Sequence, residues 1–525
     1  MNECIAKYQD ELNGVVSGFD RLVFHGHPRG ISRNTGMRYY LNANGVLLKD
    51  FGAHVELVSQ DLKQASLAVA NREGRPVIYL RDNRQSKEQL ARSIAVREGI
   101  RTGLICVLTA VERCWSYRVA GNRSTKHLEV QPCFRKCLHL YHYWMDAEMG
   151  LMSARIQSWF PFSIQVCING REWLARRMDT AGWKYVQQGN CFVWLEDYQQ
   201  AQALLGRQLE TNWAEWLDGV AQQVNPLHAE IFQHYPGSYY WSVYQSEWAT
   251  DLVFRNEETL RRHYAVWIPQ ALTTFGSPDV MRFLGRSIPL SGNIPRRLKA
   301  ELRSDVRQRA EGARIKHMLN GNAVKAYDKA FTAVGNGLRV EMTMNWERDF
   351  RVYRPKEGGP PEELAWLRLR RGVADLHRRA QVSQKVNERY LNALASLEDN
   401  TTLEELVGRL EQRTWWKGQS MRGLRLWEPA DAQLLAAIAR GEFTINGLRN
   451  RDLQRLLFAH PPTCPQQARQ RSARVSRLLR LLRAHGFLRK VPRTHRYLVT
   501  DNGRKALTAI LAARTATVAQ LTKAA

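Results

Sequence analysis

The sequence predicts a chain of the α+β class: a mixed α/β body, a helical connector and a small basic module at the C-terminus. Apolar strand-like runs alternate with amphipathic helical stretches over residues 1–354, and the last fifth of the chain holds most of the surplus positive charge. A length of 525 residues suits two to four domains. We place the body at 1–354, with a division into two subdomains near 185–230, the connector at 355–412 and the basic module at 413–525.

The body is predicted to contain an α/β unit. Residues 77–80 and 103–108 are apolar strand-like runs, and residues 86–99 between them form an amphipathic helix that begins at Ser86 and ends at Gly99. A polar loop at 146–150 is expected to join two strands into a hairpin. Further strands are predicted at 164–168, 313–315, 323–329 and 338–343, and further helices at 171–180 and 198–223.

A turn-rich segment, residues 355–361, follows the body. Its three prolines and two glycines disfavour both helix and sheet, so we predict an interdomain linker. Residues 362–412 have a helical pattern, with Thr402 and Glu405 in the positions of a capping box. This pattern predicts a connector of two or three helices.

The basic module has the element order of a winged helix-turn-helix. Helices are predicted at 431–440, 448–458 and 466–485, then two short strands at 487–491 and 496–500 around a basic tip, and a last helix. The third helix has one apolar stripe, and arginines occupy much of its remaining surface. Domains of this kind place such a helix in the major groove of DNA. A module that mediates only protein contacts is the alternative.

Charge indicates the class of partner. Lys and Arg number 77 against 50 Asp and Glu, a net charge of +27, and residues 413–525 alone hold 22 basic and 5 acidic residues, a net charge of +17. Such a surplus is typical of proteins that bind an anionic polymer. We therefore expect a nucleic acid as partner, with duplex DNA favoured over RNA, and a homodimer is one assembly to test.

Composition excludes several other classes. Hydrophobic residues make up 44% and charged residues 24%, as in globular proteins. The longest apolar runs are far shorter than the about 18 residues of a membrane span, and the acidic N-terminus is unlike a signal peptide. Eight cysteines in so long a chain favour a reducing compartment over a disulfide scaffold. We expect a cytoplasmic, nucleoid-associated protein that does not contact a membrane.

Motifs spread over nearly the whole chain resemble known proteins. They are Phe19-Asp20-Arg21, Asn169-Gly170-Arg171-Glu172-Trp173, Gln245-Ser246-Glu247, Tyr327-Asp328-Lys329 with Leu338-Arg339-Val340-Glu341, Asn446-Gly447-Leu448-Arg449-Asn450-Arg451-Asp452-Leu453, and Thr494-His495-Arg496-Tyr497. With them the chain resembles a widespread family of large uncharacterised bacterial proteins that carry a C-terminal MarR-like winged-helix domain. Segments 478–486, 488–491 and 497–504 resemble that domain itself. The resemblance implies a single architecture and names no activity.

Basic side chains in two regions are expected to contact nucleic acid. In the module they are Arg469, Arg471, Arg474, Arg477, Arg489, Lys490, Arg493, His495 and Arg496. In the body they are Arg303, Arg307 and Lys316, within the basic segment 296–316. Aromatic residues upstream suit stacking on single-stranded or distorted nucleic acid. Packing of the same aromatics in the body core is the alternative. They are Tyr239, Tyr240, Trp241, Tyr244 and Trp248.

Four acidic residues of the body are candidate catalytic residues: Glu247, Asp251, Asp328 and Glu341. Carboxylates gathered with lysines can hold Mg²⁺ or another divalent cation against a phosphodiester. This hypothesis describes a metal-dependent nuclease, or a strand-transfer or replication protein of a mobile element. In the alternative, each acid forms an ion pair with its own Lys or Arg and the four are dispersed.

Two histidine motifs are weaker metal-site candidates. His25-Gly26-His27 would place two imidazoles on one face of a strand, as in the paired-histidine sites of rolling-circle initiators and relaxases, but the following Pro28-Arg29-Gly30 favours a turn. Among Cys133, Cys137, His139 and His142, a strand would point His142 away from Cys137 and His139, so a zinc site is not expected.

Three functional hypotheses follow. The first is a DNA-binding protein whose winged helix recognises DNA while the body has a further role. The second is the metal-dependent nuclease or strand-transfer enzyme. The third is a protein that binds structured or guide RNA, because charge alone does not separate RNA from DNA. The sequence contains no dinucleotide fingerprint, P-loop or nucleophile elbow.

Overall fold

The structure is a computed structural model of the chain. It describes residues 3–81, 85–275, 277–285, 302–309, 312–328, 336–396, 402–440, 443, 447–492 and 494–518. These residues form two compact units. The N-terminal unit comprises Val16–Trp248 and Arg371–His377, and the C-terminal unit comprises Met1–Val15, Ala249–Arg370 and Arg378–Ala525.

Helices and strands follow one another along the whole described chain. The strands are β1 (Leu12–Pro28), β2 (Val77–Tyr79), β3 (Gly103–Gly121), β4 (Leu128–Asp146), β5 (Gly150–Gln157), β6 (Ile164–Asn169), β7 (Tyr185–Gln188), β8 (Cys191–Leu195), β9 (Tyr239–Phe254), β10 (Leu302–Arg309), β11 (Gly312–Leu319), β12 (Asn322–Asp328), β13 (Gly337–Met344), β14 (Arg351–Pro355), β15 (Leu364–Arg368), β16 (Thr414–Trp416), β17 (Gln419–Met421), β18 (Leu488–Lys490) and β19 (Tyr497–Val499). The helices are α1 (Glu3–Lys7), α2 (Asn34–Ala43), α3 (Phe51–Arg72), α4 (Lys87–Arg97), α5 (Gly170–Ala181), α6 (Tyr198–Arg207), α7 (Trp213–Val224), α8 (His228–Ile231), α9 (Glu257–Thr274), α10 (Ser277–Phe283), α11 (Leu376–Ser396), α12 (Leu403–Glu411), α13 (Pro429–Ile438), α14 (Asn450–Leu457), α15 (Pro465–Ala484) and α16 (Asp501–Thr515). Within the described ranges, no helix combines the length and apolar character needed to cross a lipid bilayer.

The N-terminal unit is built on a mixed sheet. Its strands have the order β9-β1-β6-β5-β4-β3-β2, to which β1 contributes residues 16–28 and β9 residues 239–248. The neighbouring pairs β1–β6, β6–β5, β5–β4 and β4–β3 are antiparallel, whereas β2 is parallel to β3. A parallel pair needs a crossover connection, and α4 supplies it. The prediction of an α/β body is therefore confirmed.

Local signals in the sequence position several of these elements. The Ser86 hydroxyl accepts a hydrogen bond from the Gln89 N–H at the start of α4. Asn169 caps α5 in the same way, and Gly182 ends that helix with a φ of 73°. The predicted hairpin at 146–150 is present, with Met145 opposite Leu151. Side-chain caps and glycines act within a few residues, which explains why the sequence located these boundaries.

The C-terminal unit contains a second group of strands. Strands β10, β11, β12 and β13 pair antiparallel in chain order, and residues 249–254 of β9 lie next to β13. All eight residues of β13 are buried. Trp267 of α9 and Tyr390 of α11 belong to the same apolar core as Val340. This core fixes the strands that carry several predicted site residues.

The predicted interdomain linker is the loop of a hairpin. Strands β14 and β15 pair antiparallel on either side of it, with Val352 opposite Leu367. Prolines and glycines that disfavour helix also suit a hairpin loop, and the sequence pattern does not distinguish the two. The predicted boundary at residue 355 therefore falls inside the C-terminal unit and does not separate two bodies. Beyond β15, the predicted helical connector contains α11 and α12.

The basic module has an apolar core of its own. Of the predicted stripe of the third helix, Val475, Leu479 and Leu482 are each at most 1% exposed, and Leu478 is half-buried. They pack with Leu453 of α14 and Ile510 of α16, among others. The described elements follow the predicted order of three helices, two strands and a helix. The sequence analysis did not predict the preceding hairpin, β16–β17.

Gly447 joins two parts of the module. Next to it, Leu448 and Tyr497 exchange two backbone hydrogen bonds of 2.8 and 2.9 Å, which tie the start of α14 to β19. Gly447 has a φ of 68°, and a Cβ atom at this position would lie 2.3 Å from the Tyr497 carbonyl oxygen. Both the backbone conformation and the close approach require glycine.

We expect Gly447→Ala to destabilise the protein by about 2–4 kcal/mol, because left-handed strain adds to a backbone clash. Gly486→Ala is the matched control, since Gly486 also has a positive φ, 76°, but a Cβ there would meet nothing within 4 Å. The free energy of unfolding of the control should fall by only about 1–2 kcal/mol, because backbone strain is its only cost. Denaturant unfolding of the full chain measures both, and equal losses would contradict the role of the Leu448–Tyr497 bridge.

Candidate nucleic-acid interface

Helix α15 presents a polar and basic face opposite its buried stripe. The exposed residues recur at helical spacing on the side opposite Val475, Leu479 and Leu482. They are Gln466, Arg469, Gln470, Arg474, Arg477 and Arg480. No acidic residue occurs between Asp452 and Asp501, whereas this stretch contains eleven Lys and Arg residues. The face is therefore strongly positive.

Arg471 differs from the other predicted arginines of α15. It precedes Val475 by four residues and so lies near the buried stripe. Its guanidinium is 4.7 Å from the centre of the Phe458 ring and donates a hydrogen bond to the His460 carbonyl oxygen. These contacts fix the loop between α14 and α15. The geometry thus gives Arg471 a positioning role, and its contact with nucleic acid stays a prediction from the sequence.

We use the name wing for β18, β19 and the turn between them. Arg489 and Lys490 of β18 are exposed, and so is His495 in the turn. Arg493 lies outside the described residues. The wing therefore adds exposed cations close to the end of α15, from which β18 is separated by only three residues.

Three arginines surround Tyr353 of β14. The guanidinium of Arg496 lies 5.2 Å from the ring centre and that of Arg449 5.5 Å from it, and Arg451 donates a hydrogen bond of 3.1 Å to the hydroxyl. Of these, the sequence analysis predicted only Arg496 as a nucleic-acid contact. Arg449 and Arg451 were visible in the motif at 446–453, but only the folded chain places them beside Arg496.

The relative position of α14 and α15 is fixed by Asn450. Its side-chain amide donates to the Ser472 carbonyl oxygen at 2.9 Å and to the Ser476 hydroxyl at 2.8 Å. A single side chain at the start of α14 thereby holds the middle of α15. This arrangement keeps the basic face of α15 in a fixed direction.

The predicted basic residues of the body lie on the β10–β11 hairpin. Arg303 and Arg307 are exposed, and Arg307 forms an ion pair of 3.1 Å with Asp305. Lys316 is half-buried; burial and then the neighbouring Lys325 lower the pKa of its ammonium group. Arg296, Arg297 and Lys299 lie outside the described residues. The hairpin is therefore basic, but part of its charge is neutralised.

The predicted aromatic cluster of β9 is divided between the core and the surface of the N-terminal unit. Tyr239, Trp241 and Trp248 are buried, whereas Tyr240 and Tyr244 are 41% and 50% exposed. The Arg29 guanidinium lies 5.2 Å from the Tyr240 ring centre. Three of the five aromatic rings therefore pack in the core, and two remain exposed at the surface.

Two of the four candidate catalytic acids form buried ion pairs. Asp251 binds Arg339 through both carboxylate oxygens, at 2.7 and 3.0 Å, and both side chains are almost fully buried. Glu341 accepts from Lys325 at 2.6 Å and from Thr343 at 3.2 Å. Burial acts to raise the pKa of the Glu341 carboxyl, but Lys325, Arg339 and Thr343 together hold that pKa below its usual value. These contacts favour the ion-pair alternative for Asp251 and Glu341.

The other two acids have different surroundings. Asp328 pairs through its backbone with Leu338 at the end of β12, and its side chain lies outside the described residues. Glu247, on β9, accepts a hydrogen bond of 3.3 Å from Gln245. One oxygen of Glu247 lies within 4.8 Å of a carboxylate oxygen of Asp20 on the neighbouring strand β1. Sequence reasoning gave Asp20 only as part of a motif, because nothing in the sequence indicates that β1 and β9 are neighbours.

The Asp20–Glu247 pair is partly compensated. Asp20 is 1% exposed and accepts a hydrogen bond from the Asn190 amide. The pKa of Arg21 is raised, first by Cys167 and also by Glu247. Two carboxylates at this separation can bind one divalent cation, since oxygen ligands lie about 2.0–2.6 Å from Mg²⁺ or Ca²⁺.

His25 and His27 both belong to β1, so the turn that the sequence favoured for them is wrong. Their ring centres lie 4.0 Å apart. Burial lowers the pKa of His25 to about 3 and also lowers that of His27, so both rings are neutral at pH 7, as metal ligands must be. Among the described residues, no third Asp, Glu, His or Cys completes a metal-ligand cluster with them.

The second histidine motif is dispersed as predicted. The His142 ring forms a hydrogen bond of 2.8 Å with the Ser66 hydroxyl, whereas His139 lies beside Cys137 and Cys137 beside Cys114. Alternate residues of β4 point to opposite faces of the sheet, which separates His142 from the cysteines.

Comparison of the chain with protein-family models, with curated proteins and with solved structures finds no match. Functional inference therefore depends on the geometry and charge of this chain.

We expect Asp251→Asn to destabilise the C-terminal unit by about 3–5 kcal/mol, because it removes the charge of the carboxylate that forms two hydrogen bonds with the buried Arg339 guanidinium. Asp305→Asn is the control, since Asp305 pairs with arginines at a more exposed site and should cost about 0–1 kcal/mol. Equilibrium unfolding in denaturant compares the variants. A similar small loss in both would show that Asp251 does not anchor the fold.

Proposed function

We propose that this chain is a duplex-DNA-binding protein and that its basic module is a winged helix-turn-helix of the MarR-like kind. The observation that carries the proposal is the acid-free basic face of α15, which is opposite a fully buried apolar stripe. A helix oriented in this way can enter the major groove with its polar face against the base edges.

Residues along α15 support two kinds of contact. Gln466, Arg469 and Gln470 lie near its N-terminal end, where recognition helices of this class contact bases, and Arg and Gln pair well with guanine and adenine. Arg477 and Arg480 lie further along the same face and suit phosphate oxygens. The helix has 20 residues, about 30 Å, so it reaches phosphates on both sides of a groove.

The wing and the arginines around Tyr353 support contacts with the DNA backbone. Arg489, Lys490 and His495 are exposed on the wing. Arg449, Arg451 and Arg496 gather three positive charges around one ring, and such a group suits a phosphate. Contacts of this type hold the register of a protein on DNA and carry no sequence information directly.

We expect Arg477→Ala to weaken binding of the full chain to a mixed-sequence duplex about tenfold, because one charge-assisted contact is lost. Arg425→Ala removes the same charge from an exposed arginine that pairs with Glu428, and it should change affinity less than about threefold. Fluorescence anisotropy between about 50 and 200 mM salt measures affinity and its salt slope, which should be lower by about one in Arg477→Ala. Equal affinities, or preference of the wild-type chain for structured RNA, would contradict the proposal.

A second candidate function is metal-dependent cleavage or transfer of a phosphodiester by the N-terminal unit. The Asp20–Glu247 carboxylate pair is the observation in its favour. A divalent cation bound there would offset the charge of a phosphodiester and lower the pKa of a bound water molecule. Asp251 and Asp328 remain candidate residues from the sequence only.

If this second function exists, Glu247→Gln should abolish Mg²⁺- or Mn²⁺-dependent cleavage of DNA, because the amide removes a charged metal ligand. Duplex binding by the basic module should not change. Glu56→Gln, at an exposed position of α3, is the control and should retain cleavage. Gel analysis of labelled DNA tests cleavage, and undiminished cleavage by Glu247→Gln would exclude the pair as the site.

A further inference from the structure

The β16–β17 hairpin of the basic module has no role in the proposed duplex contacts. Its strands pair with Trp415 opposite Ser420 and Trp416 opposite Gln419. Lys417 and Gly418 form the turn, with φ angles of 51° and 75°. Positive φ at both central residues is typical of a type I′ turn, whose twist matches that of the two flanking strands.

The hairpin is fixed to the module through one of its faces. Met421 packs against the apolar core of the module, and the Arg483 guanidinium lies 4.6 Å from the centre of the Trp416 ring. At the end of the hairpin, Arg422 binds Asp431 of α13 through two hydrogen bonds of 2.7 Å. The other face is therefore held in a defined position.

That other face presents a large aromatic side chain to solvent. Trp415 is 75% exposed, the highest exposure of any tryptophan in the described part of the chain. Arg413 and Lys417, two residues before and after it in the sequence, are exposed as well, and the Lys417 ammonium lies 5.3 Å from the centre of the Trp416 ring. An indole on a fixed hairpin loses little conformational freedom when it binds, so it suits a recognition role.

The hairpin lies next to the wing. Arg483, near the end of α15, is 4.6 Å from the Trp416 ring centre and 6.0 Å from that of Tyr497 on β19. A single guanidinium therefore contacts an aromatic ring of each hairpin. The β16–β17 hairpin and the wing therefore lie at the same end of α15.

The chemistry of this surface indicates its occupant. A net charge of +17 over residues 413–525 favours a polyanion over a basic protein surface. An exposed indole beside two cations is the arrangement by which proteins stack on a base and contact its neighbouring phosphates. Bases within an intact duplex already stack on each other, so an indole finds a free base face only where a strand is unpaired.

We propose that Trp415 stacks on an unpaired base in a strand that continues from the duplex bound by α15, with Arg413 and Lys417 at the adjoining phosphates. The preferred ligand of the module is then a junction between duplex and single-stranded DNA. This inference rests on the proposed duplex binding and specifies its substrate.

The test compares a blunt duplex with the same duplex carrying a single-stranded tail, by fluorescence anisotropy with the full-length chain. The wild-type chain should bind the tailed duplex about tenfold more tightly, as one stacked base provides. Trp415→Ala should lose this preference while its affinity for the blunt duplex is unchanged. Trp415→Phe should keep most of the preference. Trp427→Ala, at a tryptophan 49% exposed in the same module, should behave as wild type.

The outcomes separate the inference from the function on which it rests. If Trp415→Ala binds the blunt duplex and keeps the preference for the tail, the inference is overturned and duplex binding stands. If Trp415→Ala leaves both affinities unchanged but alters the sedimentation coefficient, the surface joins copies of this chain, which also overturns it. If the wild-type chain binds no duplex, both the function and the inference fail. Thermal unfolding confirms that each variant is folded.

Discussion

Burial of one apolar stripe on α15 determines the arrangement of the basic module. Val475, Leu479 and Leu482 leave water by packing against the other helices, and each buried side chain of this size contributes about 1.5–3 kcal/mol. Because a helix is rigid, burial of one face turns the opposite face outward. The arginines on that face cannot be buried without counter-charges, so they remain in solvent, where a polyanion can reach them. The packing that buries the apolar stripe therefore also determines which arginines of α15 face the solvent.

The same preference for compensated charge governs the strands of the C-terminal unit. Arg339 and Asp251 are nearly inaccessible to water, and two hydrogen bonds join them. Lys325 and Glu341 form a comparable pair on adjacent strands. Such pairs are costly to break once buried, whereas they add little to a surface. Asp251 and Glu341 were candidate catalytic residues in the sequence, and the two ion pairs give each of them a structural role in the C-terminal unit. Asp20 and Glu247 bring two carboxylates within 4.8 Å of each other, and Glu247 also interacts with the Arg21 guanidinium.

Two hairpins give the basic module different surfaces. The wing carries exposed cations, whereas β16–β17 carries an exposed indole between two cations. Cations alone suit the uniform phosphate backbone of a duplex, and an aromatic ring suits a base that has lost its neighbour. Arg483 lies near an aromatic ring of each hairpin, so both hairpins are at one end of α15. In the proposed function, the two hairpins would respond to the structure of the DNA, in addition to the base edges that α15 contacts.

Features that depend on near neighbours could be predicted from the sequence: the crossover unit of α4, the cap at Ser86, the apolar stripe of α15 and the concentration of charge after residue 413. Helix periodicity, side-chain caps and net charge all act within a few residues, so the sequence contains them directly. Tertiary structure alone decided which distant residues meet. It paired Asp251 with Arg339, brought Asp20 to Glu247, drew Arg471 into the α14–α15 loop and made a hairpin of the predicted linker. Strand order and long-range packing determine these contacts, and they cannot be predicted from local patterns in a single sequence.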